Sequence, residues 1–394
     1  MGQIKDFMRW RLLLLYLSPA LMDWLVFFVS FAVFYAAGVR GVSMAECGWL
    51  GMLFQGAYMA SSFVSGHFIT QGNARRVLLS STLICGISSA VLLGLSTFGL
   101  LAGGLVVFGG SAAWFFNSFQ AFMRGEASVG SLKTSVAFYT LSWSLGAALG
   151  NVTAGWLYEW GTTALILAVV FSTGATLFLL ARTGKHTAGG SLTGGTAEEP
   201  VESGTRHKYP VSNRYIAIGW LMIFTATFVQ RPLFTFLPPL FAKEGISSLW
   251  ASLPLFMHMA VAAVFGLAMF RFRDFLYRRT PFFLIQGGGV LALCAMWLWP
   301  SYWVCFLVLC LLGIYAGFVY YCAVYYASNS GRRSFNTGVN EALVGFGSIA
   351  GIVLGDGYMR LSGAATGMYL VCGSGLAVSI IAQMAIAHST KETH

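Results

Sequence analysis

Apolar runs of about 20 residues recur twelve times along this 394-residue chain, which is the length a helix needs to cross the hydrocarbon core of a bilayer. They fall near 12–38, 48–69, 77–97, 99–123, 136–158, 161–182, 214–240, 248–270, 281–299, 301–326, 337–359 and 364–387, with tight breaks at 98 and at Pro300-Ser301. With 57% hydrophobic and only 9% charged residues, the chain has too little polar surface to clothe a soluble globule. The expectation is an all-α membrane protein of twelve transmembrane helices.

Charge placement orients the spans. With the N-terminus inside, 19 of the 23 Lys and Arg fall on inner loops, against Arg40, Lys243 and Arg360 outside and Arg231 within a span. Such asymmetry is the positive-inside signature, and it explains the net charge of +10 by topology and contact with anionic lipid rather than nucleic acid. Both termini are expected in the cytoplasm, in the cell inner (plasma) membrane. The first run follows Lys5, Arg9 and Arg11 with no small-residue cleavage site at the right distance, so it is expected as a retained span. The Gly-, Ser- and Thr-rich stretch 183–213 reads as a flexible cytoplasmic linker between six-helix bundles at 1–182 and 214–394. The seven cysteines lie mostly in apolar runs without a CxxC pair, so they read as core residues, with no metal and no cofactor expected.

The second half repeats the first. A shift of 201 residues lays Gly146 on Gly347, Gly150 on Gly351 and Ala154 on Gly355, and a shift of 203 lays Arg75-Arg76 on Arg278-Arg279. Glycines four apart share one helix face, where a missing side chain lets another backbone approach; lipid offers helices no hydrophobic drive to associate. These faces are expected to pack closely and to slide or pivot between states. The stretch Gly146-Ala-Ala-Leu-Gly150-Asn151-Val-Thr-Ala154-Gly155 resembles the glycine-rich fifth-helix motif of major facilitator transporters, with Asn151 and Ala154 departing from it. The loop Gly66 to Arg76 resembles the cytoplasmic loop signature of the same superfamily, with Thr70 for the usual Asp, Asn73 for the second Gly, and the Arg75-Arg76 pair kept. Asp274, Arg278 and Arg279 form its second-half counterpart. The resemblance covers the whole chain and implies the major facilitator fold, two six-helix repeats whose first, fourth, seventh and tenth helices surround a substrate path.

An ionisable residue inside a span is a functional candidate, because a charge at bilayer depth costs at least a few kcal/mol. Asp23 is the only acid deep in the first six spans, and burial penalises the ionised form of a carboxyl, as a proton-coupling site requires. Glu341 is the second coupling candidate; for it and for Asp356 an interfacial role reaching headgroups competes. His258 reads as a hydrogen-bonded interior residue or a proton relay. Arg231 lies about 22 Å along its helix, too deep to reach the surface, and a guanidinium keeps its proton there. An anionic substrate, Asp23, or the carbonyl freed by Pro232 would answer its charge. Thr227, Arg231 and Thr235 form one polar stripe, and Asn117, Gln120 and Arg124 another; the shift of 201 maps the latter onto Phe318, Tyr321 and Tyr325. Tyr321 is the deeper cavity contact, Tyr325 and Tyr326 read equally as an aromatic belt, and Arg124 reads equally as a positive-inside residue.

No phosphate-cradling loop, HExxH or GxSxG elbow is present, which argues against a pump or an enzyme. The sequence therefore points to a monomeric, proton-coupled secondary transporter of a small organic solute, an anion by the Arg231 reading, working by alternating access. A non-transporting sensor or assembly factor on the same fold is the alternative, with an intramembrane enzyme ranked behind it. Cysteines placed between Thr183 and Asn213 should react only with reagent admitted to the cytoplasmic side; labelling from outside would overturn the topology.

Overall fold

A computed structural model describes residues 2–70, 72–126, 132–183, 213–269, 271–272, 275–276, 278–328 and 333–388. Twelve helices stand among them: α1 (Gly2–Val39), α2 (Met44–Phe68), α3 (Ala74–Gly94), α4 (Phe98–Glu126), α5 (Leu132–Tyr158), α6 (Thr162–Thr183), α7 (Asn213–Lys243), α8 (Ser248–Ala268), α9 (Arg279–Leu298), α10 (Tyr302–Ser328), α11 (Arg333–Ser362) and α12 (Gly367–His388). Each expected span falls on one helix, and the tight breaks at 98 and 300–301 are real turns. All of the expected linker except Thr183 and Asn213 lies outside the described residues, as does Asp274.

Ten of the helices are long and apolar enough to cross a membrane; α2 and α5 fall short. α2 packs on α4, α7 and α11, and α5 on α1, α8 and α10. Polar atoms there find protein partners: Asn117 Nδ2 donates to Ser65 Oγ at 2.5 Å and to the Ser62 carbonyl at 3.1 Å, and Ser142 donates to the Tyr16 carbonyl. Prolines inside helices free carbonyls that neighbours use, since proline lacks the donor one turn on. Pro254 frees the Trp250 carbonyl, which accepts from Tyr302 Oη at 2.9 Å. Pro232 frees the Phe228 carbonyl, which lies against Gly351 of α11 and 3.9 Å from Cys372 Sγ. It therefore turns away from Arg231, for which it had been a candidate acceptor.

The repeat seen in the sequence is a repeat of contacts. A side chain at Gly146 or Gly150 of α5 would strike the carbonyls of Ala20 and Trp24 in α1, and one at Gly347 or Gly351 of α11 would strike those of Phe224 and Phe228 in α7. The α1 and α7 positions are offset by 204 residues, whereas α5 and α11 are offset by 201. The same matching works elsewhere: Gly109 meets the Phe54 carbonyl as Gly313 meets that of His258, at an offset of 204, and Gly86 meets Thr173 as Gly289 meets Leu376, at 203. Gly146, Gly150, Gly347 and Gly351 thus lock helices inside each six-helix set. Gly155 alone faces across, toward Ser248 and Ser252 of α8.

Where the two sets meet on the pseudo-twofold axis, residues touch their own mates, as any two-fold requires. Gly38 of α1 sits against Pro239 and its mate Ala242, and Arg231 of α7 stands over the ring of its mate Phe27 at 5.4 Å. The end of the bundle away from Thr183 and Asn213 is tied across the sets by Tyr35 Oη donating to the Ile246 carbonyl (2.9 Å) and Ser248 Oγ to that of Gly155 (2.6 Å).

Close backbone approach sets the cost of substitution. Gly351→Ala should destabilise the protein by about 1–3 kcal/mol, because a methyl group must displace the α7 backbone. Gly355→Ala should be nearly neutral, its nearest neighbours being side chains at 3.6 and 3.8 Å. Equal unfolding midpoints for the two variants in detergent would refute this packing.

Candidate functional site

Seven helices send a polar or charged side chain to one level of the bundle, around the axis. They are Asp23 of α1, Tyr58 of α2, Gln120 of α4, Tyr139 of α5, Arg231 of α7, Tyr320 of α10 and Glu341 of α11. Asp23 interacts electrostatically with both Arg231 and Glu341, and Tyr58 and Tyr320 with all three. Arg231, Glu341, Tyr58 and Tyr139 keep exposed surface, although each faces groups from several other helices. Surface at that depth opens into an internal space between the two sets.

The two acids differ in their partners. Glu341 is clamped by the opposite set, accepting from Gln120 Nε2 at 2.9 Å and from Tyr58 Oη at 3.3 Å. This bridge ties α11 to α2 and α4. Asp23, 7% exposed, makes no hydrogen bond or ion pair with a described residue. The Arg231 guanidinium likewise makes none among them; its Nε is buried without a partner and its face rests on Phe27, a contact worth about 0.5–2 kcal/mol. Opposite charges face one space without pairing.

Behind Arg231 runs a polar chain whose direction is fixed from one end. The Leu309 carbonyl can only accept, so His258 Nδ1 (3.1 Å away) carries the ring proton and Nε2 is left as an acceptor. The Gln230 amide therefore turns its nitrogen to His258 Nε2 at 3.2 Å and its oxygen to Tyr320 Oη, which donates at 2.5 Å. Trp143 of α5 packs edge-on against Tyr320, with ring centroids 4.8 Å apart. His258 is accordingly a hydrogen-bonded interior residue, 2% exposed.

Of the residues singled out from the sequence, Asp23, Gln120, Arg231 and Glu341 come together here. Asn117 bonds within its own set, to α2. Thr227 bonds to carbonyls of its own helix and lies against Gly347, and Thr235 packs on Gly51 of α2. Tyr321 does not reach the internal space: it is fully buried, its hydroxyl has no partner and its ring stacks on Tyr325 at 6.2 Å. α4 and α10 are offset by 204 rather than 201, so the mate of Gln120 is Val324, and Tyr321 is the mate of Asn117, which likewise turns into its own set. Asp356, buried at the far end, pairs with Arg360 and fits against Gly48 of α2. Of the loop motif, Arg75 Nη2 donates to the Ala181 carbonyl at 2.9 Å, while Asn73 accepts from the Thr70 amide and donates to the Phe68 carbonyl, both at 2.7 Å. Gly66 has open space beside it, Arg76 is exposed and makes no hydrogen bond or ion pair with a described residue, and Arg278 and Arg279 are exposed at the start of α9. Tyr58, Tyr139, Gln230 and Tyr320 escaped sequence reading. Gln230 could have been found as the polar neighbour of Arg231 in an apolar helix; the tyrosines gave no signal apart from other interfacial aromatics.

The family model of the Major Facilitator Superfamily matches residues 13–353. By sequence alone, no curated protein is similar at a significant level. Among solved structures, a bacterial homologue of the human lysosomal transporter Spinster, in an inward-facing and unoccupied conformation, aligns with a TM-score of 0.61 and 17% identity, over 97% of this chain and 95% of that one. The nucleoside transporter NupG (TM-score 0.59, 13% identity) covers 94% of this chain and 99% of its own. The human organic anion transporter MFSD10 (0.62, 16%) covers 95% and 99%. At these identities the likeness establishes the fold alone.

Replacing Gln230 with Leu strands the Tyr320 hydroxyl and the second nitrogen of His258 in a buried setting, where each orphaned group costs about 1–3 kcal/mol. Gln230→Leu should lower stability by about 2–4 kcal/mol on that basis, and by distinctly less in a Tyr320→Phe background. Additive losses in a double-mutant cycle would show that the chain is not coupled.

Proposed function

The chain belongs to the Major Facilitator Superfamily, and from that premise we propose that it is a secondary transporter that moves a small organic anion by alternating access, coupled to protons. The observation that carries this reading is Arg231. A guanidinium on the pseudo-twofold axis, held on Phe27 and without a hydrogen-bond partner among the described residues, needs its counter-charge from whatever enters the space between the sets. Asp23 supports the reading by not pairing with it, which leaves the fork of the guanidinium open to a carboxylate or phosphate.

Asp23 is the proton site in this proposal. With no hydrogen-bond donor among the described residues, Asp23 has the charge of Arg231 to favour its ionised form, so its protonation follows what occupies the space. Glu341 has a different part: with Gln120 and Tyr58 it makes a bond between the sets that must break when they rock apart. The ties of Tyr35 and Ser248 at the far end support a conformation closed on that side, which the positive-inside pattern makes the outside.

In proteoliposomes, Asp23→Asn should abolish accumulation against a gradient while sparing downhill exchange at saturating substrate; concentration by this variant would move coupling to another group. Arg231→Gln should weaken substrate binding by about 10- to 100-fold, in line with the 1.4 kcal/mol per decade of lost charge-assisted bonding, and Arg231→Lys by less. Recovery of transport when Asp23→Asn is added to Arg231→Gln would make the arginine a structural partner of Asp23 and remove the case for an anion.

A further inference from the structure

The charges and hydroxyls around the internal space are not balanced in hydrogen-bonding sense. Arg231 supplies donors. Tyr320, Tyr58 and Asp23 supply acceptors. The proton of Tyr320 is committed to Gln230 by the chain that starts at the Leu309 carbonyl, so toward Asp23 and Arg231 its oxygen offers only lone pairs. The proton of Tyr58 is committed to Glu341 in the same way. Asp23, ionised, is an acceptor with no donor among the described residues. A solute that is an anion and nothing more satisfies Arg231 and leaves these acceptors facing it, which costs the desolvation of each.

We infer that the transported solute is amphoteric: its anionic group sits on Arg231, and an ammonium or similar N–H donor a few bonds away sits between Asp23 and Tyr320. Phe27 under the guanidinium and Trp143 against Tyr320 give the intervening body apolar aromatic walls. This rests on the anion-binding reading of Arg231 and adds the second recognition element to it. Tyr320 is the residue that sets the specificity, because its polarity is imposed from behind by Gln230 and His258 and it can reward only a donor. The arrangement also gives Asp23 a double duty. The same oxygen atoms hold either a proton or the amino group, so loading one displaces the other.

Three indole probes of matched size separate the alternatives: tryptophan carries both groups, indole-3-acetate only the anion and tryptamine only the cation. Binding of each to the full-length protein in nanodiscs is measured by calorimetry. Tryptophan should bind at least tenfold more tightly than either of the others. Tyr320→Phe and Asp23→Asn should each erase its advantage over indole-3-acetate without weakening indole-3-acetate, an outcome that a merely structural defect would not give. Arg231→Gln should weaken tryptophan and indole-3-acetate together. Indole-3-acetate binding as tightly as tryptophan would overturn the amphoteric inference and leave the anion reading standing. Tryptamine binding most tightly, and indifferently to Arg231→Gln, would overturn the anion reading itself. Absence of saturable binding by all three would overturn the assignment of an aromatic-walled amphoteric site.

Discussion

The close approach of α5 to the carbonyls of α1, and of α11 to those of α7, is what the rest of the structure stands on. Lipid tails are as apolar as leucine, so helices in a bilayer gain nothing by merely hiding apolar surface from it, and association depends on dispersion and short polar contacts between backbones. Gly146, Gly150, Gly347 and Gly351 permit that approach, and each pair is docked on the helix that carries a deep charge or its mate. Asp23 stands between the α1 carbonyls that meet Gly146 and the next turn, and Arg231 one turn beyond those that meet Gly351. The backbone from which both charges project is therefore fixed by close contact with α5 and α11.

Much of the fold was legible in the sequence, because span length, basic-residue placement and the spacing of glycines are direct consequences of bilayer thickness and helix geometry. Individual charges were legible for the same reason: Asp23, Arg231 and Glu341 stand out against apolar runs. The aromatic and amide parts of the site were not. A tyrosine in a span is as common at a headgroup interface as in a cavity, and only the neighbours from other helices tell them apart. Tyr321 shows how small the error can be. The offset between repeats is 204 through α1, α2 and α4, 203 at α3 and α6, and 201 at α5, so one shift carried through the whole chain moves α10 by three residues. Three residues on a helix is most of a turn, which keeps the register of polarity and still lands on the wrong side chain. The neighbour of Tyr321, Tyr320, is the mate of Phe116 and the one that faces the charges.

Matching the sets by contact shows where the duplication has been abandoned. The mate of Asp23 is Thr227, that of Arg231 is Phe27, that of Glu341 is Thr140, and that of Tyr320 is Phe116. Gln230 answers to Val26 and His258 to Phe54. Packing positions keep their character between the sets, as the glycine pairs do, but the groups that could bind or titrate occur on one side only. The two-fold supplies the scaffold and the chemistry is asymmetric upon it, which is why a repeat in the sequence locates the fold and says little about the cargo.

That asymmetry has a mechanical consequence if the sets rock against each other. Rocking that opens one end and closes the other turns about a line across the bundle, perpendicular to the pseudo-twofold. Contact between mates marks the pseudo-twofold: Gly38 with Ala242 at the far end and Phe27 with Arg231 at the level of the site. The far-end contact parts when that end opens, whereas Arg231, at the level of the site, keeps its depth and its seat on Phe27. Glu341, on α11, is bonded across the sets to α2 and α4, and separation of the sets must break that bond. One charge is then suited to holding a ligand in both conformations and the other to registering which conformation the protein occupies. Asp23, on the helix of Phe27 but one turn away, shares the fixed position of the first and the electrostatic reach of the second. In the proposed cycle a proton on Asp23 would weaken the pull on Arg231 and relieve the repulsion with Glu341 at once, so one protonation would act on both ligand binding and the bridge between the sets.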